Sequence, residues 1–168
     1  THIVDAAQGC ISTEMRDDFQ TKLGVRYFVV DVDDVNSAEL APFFSGAHAF
    51  IEEAVASGGR VLIHCRAGVS RSATLCLYWL MAPPLLAPGQ VRAGAIAPEG
   101  RRLGDAFVTL RGCRSIVCPN MGFRKQLLAA EQRLFGATSV STSLLPGSTP
   151  YSEAKERKKR GSSDGTCI

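Results

Sequence analysis

Val61-Leu62-Ile63-His64-Cys65-Arg66-Ala67-Gly68-Val69-Ser70-Arg71-Ser72 is the stretch that decides the fold. An apolar run ends on a histidine and a cysteine. Five residues separate that cysteine from an arginine, and an apolar helical pattern follows at once. A strand, a loop the size of a small anion and a helix would be written in this way. The pattern brings a thiol, a guanidinium and a set of backbone N–H groups around one point.

The flanking sequence extends the alternation. His2–Ala6 is a short β-like segment, and Val25–Val32 is a second, rich in β-branched and aromatic residues. Ser37 is placed to cap a helix running to about Ser57. Leu40, Phe43, Phe44, Ala47, Phe50, Ile51, Ala54 and Val55 follow helical spacing there, leaving His48, Glu52 and Glu53 outward. Gly58-Gly59 ends it. Arg60–His64 reads as a buried strand and Ser72–Met81 as a central, buried helix. Helical patterns return at Leu103–Leu110 and at Met121–Phe135, the second capped by Asn120, with Phe123, Leu127, Ala130 and Leu134 as its buried stripe. The expected fold is α/β, a mainly parallel central sheet flanked by helices. Ligands of such sheets bind at the carboxyl ends of strands, where Cys65 falls.

The loop carries chemistry. An ordinary thiol, pKa ~8.5, is mostly protonated at neutral pH. Cys65 has three reasons to ionise: the helix N-terminus beside it, the N–H groups of Arg66, Ala67, Gly68, Val69, Ser70 and Arg71 curling inward as an anion nest, and the Arg71 charge, whose planar fork suits two phosphate oxygens. Gly68 lets the loop take angles a side chain would resist. Ser72 can donate a hydrogen bond to the sulfur. His64 reads as ordering the loop, because a base so close to a thiolate has no obvious proton to take. A departing alkoxide or phenolate would need a general acid. Asp31-Val32-Asp33-Asp34 closes the second strand, and any of its three carboxylates could serve. Alternation puts Asp31 and Asp33 on one face and Asp34 where the chain leaves the strand.

Composition narrows the class. The chain has 168 residues, 45% hydrophobic and 21% charged, which suits one globular domain. No apolar run approaches the ~20 residues of a membrane span. The formal charge of +3 is too small to argue for nucleic acid. Residues 1–82 hold ten acids and six bases, and residues 83–136 three acids and eight bases, so the positive excess follows the loop and suits acidic or phosphorylated partners. The six cysteines match no zinc spacing, and only three histidines are present, so neither a metal nor another cofactor is expected. Free thiols in a reducing compartment, cytoplasm or nucleus, are the expectation.

His64-Cys65-x-x-Gly68-x-x-Arg71-Ser72 resembles the signature of the cysteine-dependent protein phosphatases. Ala67-Gly68-Val69-Ser70-Arg71-Ser72 is similar to their dual-specificity branch rather than the strictly tyrosine-specific one. Tyr78-Trp79-Leu80-Met81 resembles that branch's helix end. Arg114-Ser115-Ile116-Val117-Cys118-Pro119-Asn120-Met121-Gly122-Phe123, then Gln126-Leu127, resembles its downstream Arg…Pro-Asn-x-Gly-Phe…Gln-Leu block. The resemblance implies a phosphatase of phosphotyrosine and phosphoserine/threonine in proteins, with Cys65 as nucleophile and a phosphocysteine intermediate. It also implies Arg71 as phosphate ligand and no metal. The family's acid follows a strand about thirty residues before the cysteine, which selects Asp34 over Asp33. The Asn of the Pro-Asn block braces the phosphate loop in the family, a role carried to Asn120 beside its reading as a helix cap. Arg66 could line the mouth of the site.

Two departures from the family pattern matter. Thr1-His2-Ile3-Val4 resembles an early strand that the family precedes with another strand and helix, so a truncated or fragmentary chain with an exposed sheet edge is expected. The Pro83–Gly100 stretch, with four prolines and three glycines, is longer than the family's connection and reads as a surface loop. These departures keep two alternatives open: a catalytically weak relative that binds phosphoproteins, and a phosphatase of a non-protein phosphate ester. The phosphatase domain is expected to cover 1–136, and 137–168 to form a disordered Ser/Thr-rich and basic tail. The tail's final Thr166-Cys167-Ile168 could enter a carboxylate-capturing peptide groove.

Overall fold

The computed structural model describes residues 1–7, 9, 11–85 and 100–141. Most of Pro83–Gly100, the tail beyond Ser141 and the terminal tripeptide lie outside them. Three short parallel strands form the sheet: β1 (His2–Asp5), β2 (Arg26–Val29) and β3 (Val61–His64), in the order β2-β1-β3. Val4 of β1 is level with Phe28 on one side and Ile63 on the other. Parallel neighbours need crossovers. Helix α1 (Thr13–Leu23) links β1 to β2, and α2 (Phe44–Ala56) links β2 to β3. Helix α3 (Arg71–Met81) follows β3 and packs against α2, α4 (Leu103–Cys113) and α5 (Met121–Phe135).

The expected α/β class and parallel sheet are present, and α3 is the central helix. Leu75, Leu77 and Met81 are buried on it among Phe44, Leu103, Phe107, Phe123 and Leu127. Phe44 stacks on Tyr78 at 4.4 Å between ring centroids, a contact worth about 0.5–1.5 kcal/mol beyond its buried area. Asn120 caps α5 by accepting from Phe123 N at 2.9 Å.

Several expectations fail for tertiary reasons. Ser37 caps nothing: α2 starts at Phe44, after a single 3-10 turn at Ala41–Phe43 that contains Pro42. The preceding residues are drawn away as a loop that α5 holds. His48 and Glu52 are buried rather than outward, and only Glu53 is exposed. Glu52 accepts from the Trp79 indole at 2.7 Å, and His48 lies edge-on to Tyr78, so α3 supplies partners that make polar burial tolerable. β3 is only half buried. It is an edge strand of the described sheet, and alternation sends Leu62, 57% exposed, away from the core that Val61 and Ile63 join. α1 was not anticipated: its apolar residues are few, none is buried, and it stands on a Ser12 cap and a left-handed Gly24 stop.

The packed unit continues past Gly136. Glu131, buried on α5, accepts from Ser139 N at 2.9 Å and from Leu103 N at 2.8 Å, so one carboxylate ties residues 137–141 to the start of α4. Val140 packs against the core. Residues 137–141 thus lie against the end of α5 and the start of α4.

Candidate active site

The site forms where β3 stops and α3 starts. Cys65 follows the last strand residue, and the chain reaches α3 through a loop in which Gly68 takes a left-handed φ of 65°. The Cys65 side chain is 8% exposed. Ser72, in the first turn of α3, donates its hydroxyl to Sγ at 3.1 Å. Burial is the largest influence on this thiol and pushes its pKa up. The Ser72 hydroxyl and the backbone N–H groups of Ser72, Gly68 and Ala67 together outweigh it, so the pKa lies below the ordinary thiol value. Cys76, one helical stretch further on, has no such donors, and burial with the Cys65 charge nearby pushes it up to about 12. The two thiols are thus shifted in opposite directions, Cys65 toward the anion and Cys76 away from it.

Arg71 opens α3 and is buried. Its Nη1 donates to Val32 O at 3.2 Å, and its Nε stands 3.8 Å from Asp34 Oδ2 without a hydrogen-bond partner among the described residues. Val32 belongs to the segment joining β2 to α2, which we call the carboxylate loop (31–40). Its backbone carries few hydrogen bonds of its own and relies on α5. The Gln126 side chain accepts from Leu40 N and Ala41 N, both at 2.8 Å, and donates to Ala38 O at 2.8 Å. Gly122 lies so close to this loop that a Cβ would sit 1.9 Å from Asn36 O, so no other residue fits.

That arrangement presents Asp34 to the thiol loop. Asp34 Oδ1 accepts from Ser70 Oγ at 2.6 Å and from Asn120 Nδ2 at 2.9 Å. The Ser70 hydroxyl itself accepts from Asn120 N at 3.1 Å, which commits its single proton to Asp34. Oδ1 thus receives two donors, while Oδ2 faces Arg71 Nε at 3.8 Å. Asp31 and Asp33 are exposed and make no contact with these groups among the described residues, while Val32 between them is buried.

Of the residues singled out in the sequence, Cys65, Ser70, Arg71, Ser72, Asp34 and Asn120 are brought together. Ala67, Gly68 and Val69 form the loop between them, and Arg66 is exposed on it. Asn120 combines its helix cap with the contact to Asp34. His64 is set aside from the cluster, with Nε2 3.6 Å from Asp5 Oδ1. Asp5 is buried, accepts from Ala7 N at 2.9 Å and meets Arg16 at 3.4 Å. Sequence reasoning assigned no role to Asp5, Gln126 or Gly122. The last two lay in the quoted downstream block, but nothing local marks them as partners of a loop some 86 residues earlier.

Comparison with known proteins agrees with this geometry. Residues 1–84, half of the chain, match the sequence model of the family described as dual specificity phosphatase, catalytic domain. Dual specificity protein phosphatase 1-A of Xenopus laevis is 37% identical over 109 residues, covering 65% of this chain and 26% of that protein. Human dual specificity protein phosphatase 2 is 37% identical over 109 residues, covering 65% of this chain and 30% of that protein. The chain thus spans between a quarter and a third of the length of these two relatives. The crystal structure of human DUSP28 superposes with a TM-score of 0.62 at 26% identity, covering 81% of this chain and 80% of that one, so the likeness of fold extends past the family match into the α4–α5 region that supplies Asn120 and Gln126. A thiol of lowered pKa in a strand–loop–helix turn and the buried arginine after it both lie within the family match, and the chain belongs to the dual specificity phosphatase catalytic-domain family.

Proposed function

We propose that the chain hydrolyses phosphate monoesters on proteins, at phosphotyrosine and at phosphoserine or phosphothreonine, through a phosphocysteine intermediate. The observation that carries this reading is the pairing of an acidified Cys65 thiol with a buried Arg71 whose Nε lacks a hydrogen-bond partner among the described residues. A phosphoryl oxygen satisfies that donor, and the amides that ionise the sulfur also suit the other oxygens.

In the first step Cys65 Sγ attacks phosphorus. The S–P bond forms as the P–O bond to the alcohol breaks, and the proton on Asp34 Oδ2 passes to the departing oxygen. The Ser70 and Asn120 bonds to Oδ1 fix the carboxyl while Oδ2 delivers. In the second step Asp34, now a carboxylate, takes a proton from water, whose oxygen attacks phosphorus. Phosphate leaves and the thiolate returns, stabilised by the Ser72 hydroxyl. Arg71 holds the phosphoryl group through both steps, and no metal or other cofactor is needed. Asp33, which unlike Asp34 makes no contact with Ser70 or Asn120 among the described residues, is the weaker acid candidate.

This chemistry requires a reduced sulfur, because an oxidised Cys65 cannot attack, which supports work in a reducing compartment such as the cytoplasm or nucleus. Retention of nucleophile, arginine, Ser72 and carboxyl argues against a purely binding relative, and no feature of the site favours a non-protein ester. Phosphate release from matched phosphotyrosine and phosphothreonine peptides, with and without a chelator, tests the reading. Release from both, unaffected by chelation, is expected. Tight peptide binding with no release would overturn it.

A further inference from the structure

Three consecutive carbonyls of the thiol loop are held from its outer side, all by the connection between α4 and α5. Arg114 Nη2 donates to Ala67 O at 3.3 Å and Arg114 Nε to Gly68 O at 3.0 Å. Cys118 N donates to Val69 O at 2.9 Å. In a trans peptide the N–H and C=O of one unit point in opposite directions. Fixing Ala67 O outward therefore aims the Gly68 N–H inward, and that N–H is among the donors that lower the Cys65 pKa. Gly68 serves this arrangement twice: its φ of 65° allows the turn, and a Cβ there would come within 2.9 Å of Arg114 Nη2.

Arg114 is exposed and has no carboxylate partner among the described residues. A guanidinium in that position would ordinarily be solvated, yet its fork is used on two adjacent carbonyls of one loop. We infer that Arg114 is a positioning residue for the nucleophile, fixing the Ala67 and Gly68 carbonyls and, through the 67–68 peptide, holding and polarising the Gly68 N–H toward the sulfur. It touches neither sulfur nor phosphate and acts through the backbone between them. Hydrogen bonds in series strengthen one another, so a charged donor on the carbonyl end makes the N–H end a better donor. The inference rests on the reading of Cys65 as an anionic nucleophile.

The test is the pH dependence of Cys65 alkylation by iodoacetamide, measured as the fraction that inorganic phosphate protects. The full chain, Arg114→Met and Arg114→Lys are compared, with thermal unfolding recorded for each. Arg114→Met should move the midpoint to higher pH and slow alkylation at neutral pH by about tenfold, the order expected for losing a charge-assisted hydrogen bond. Arg114→Lys should move it part of the way, because an ammonium cannot span both carbonyls as the fork does. The shift should persist in about 1 M salt, where the screening length falls to ~3 Å, because it is transmitted through oriented peptides. If Arg114→Met does not fold, Arg114→Lys carries the test. An unchanged midpoint in a folded variant with only a lower melting temperature would reduce Arg114 to a strut. A shift abolished by salt would make it a remote charge, and either result overturns the inference. A wild-type thiol that alkylates like free cysteine would instead remove the nucleophile reading beneath it.

Discussion

The two loops that meet at the site are built in opposite ways. The thiol loop, 65–70, has its path set by its chain neighbours: β3 delivers it and α3 receives it, while the α4–α5 connection only braces three of its carbonyls from outside. The carboxylate loop, 31–40, borrows its shape from α5 through Gln126, Asn120 and the bare backbone of Gly122. Ser70 and Arg71 are the points of contact, one through Asp34 Oδ1 and the other through Val32 O. The contrast implies that ionising the nucleophile and delivering the proton are separable properties with separate structural supports.

The largest effect should come from the thiol loop. Cys65→Ser replaces a thiolate with a neutral hydroxyl of much higher pKa, and turnover of an aryl phosphate should fall by at least about 10⁴-fold. Activity within tenfold of wild type would remove the thiol loop from the chemistry altogether. Asp34→Asn keeps the carboxylate loop's shape but removes its proton, and kcat/KM should fall by about 10²–10⁴-fold with ester leaving groups of high pKa, much less with acidic phenols. The wild-type profile should rise with ionisation of Cys65, whose pKa lies below the ordinary thiol value. If Asp33→Ala shows the larger loss with leaving groups of high pKa and Asp34→Asn does not, the proton comes from elsewhere.

Ser72→Ala sharpens the comparison from the other side. Removing a donor to the anionic sulfur raises the thiol pKa, so the thiolate fraction at neutral pH falls, and the defect should diminish as pH rises. A loss of about 10–100-fold at neutral pH is expected from a hydrogen bond to a charged group, together with slower breakdown of the phosphoenzyme seen as an initial burst. The smallest effect belongs to Gln126→Ala. It unties the carboxylate loop at three points, costing about 1–3 kcal/mol of stability and several-fold in kcat/KM, with the alkylation midpoint of Cys65 unmoved. Movement of that midpoint would show that the two loops are not independent.

The same contrast explains what could be read from the sequence. The thiol loop was legible because its determinants are consecutive: an apolar strand, Cys65, Gly68, Arg71 and an apolar helix. The Asn120 cap was legible for the same reason. Asp34 could be separated from Asp31 and Asp33 only by family resemblance, because the contacts that single it out come from Ser70 and Asn120, far along the chain. His48 and Glu52 were misjudged because helical periodicity weighs polarity alone, whereas Tyr78 and Trp79 on a neighbouring helix provide the partners that let them be buried. Gly122 and Gln126 belong to the family block, but nothing beside them in the chain tells what they touch. Their meaning exists only once α5 lies against residues 36–41.

A covalent bond between sulfur and phosphorus is the centre of the proposed reaction. Rapid acid quench of the full chain during turnover of a phosphorus-labelled aryl phosphate, followed by peptide mapping, tests it most directly. Label should appear on the peptide carrying Cys65, rise and decay at rates compatible with turnover, and reach a higher level in Ser72→Ala. Phosphate released while Cys65 remains unlabelled, or label on any other residue, would contradict it.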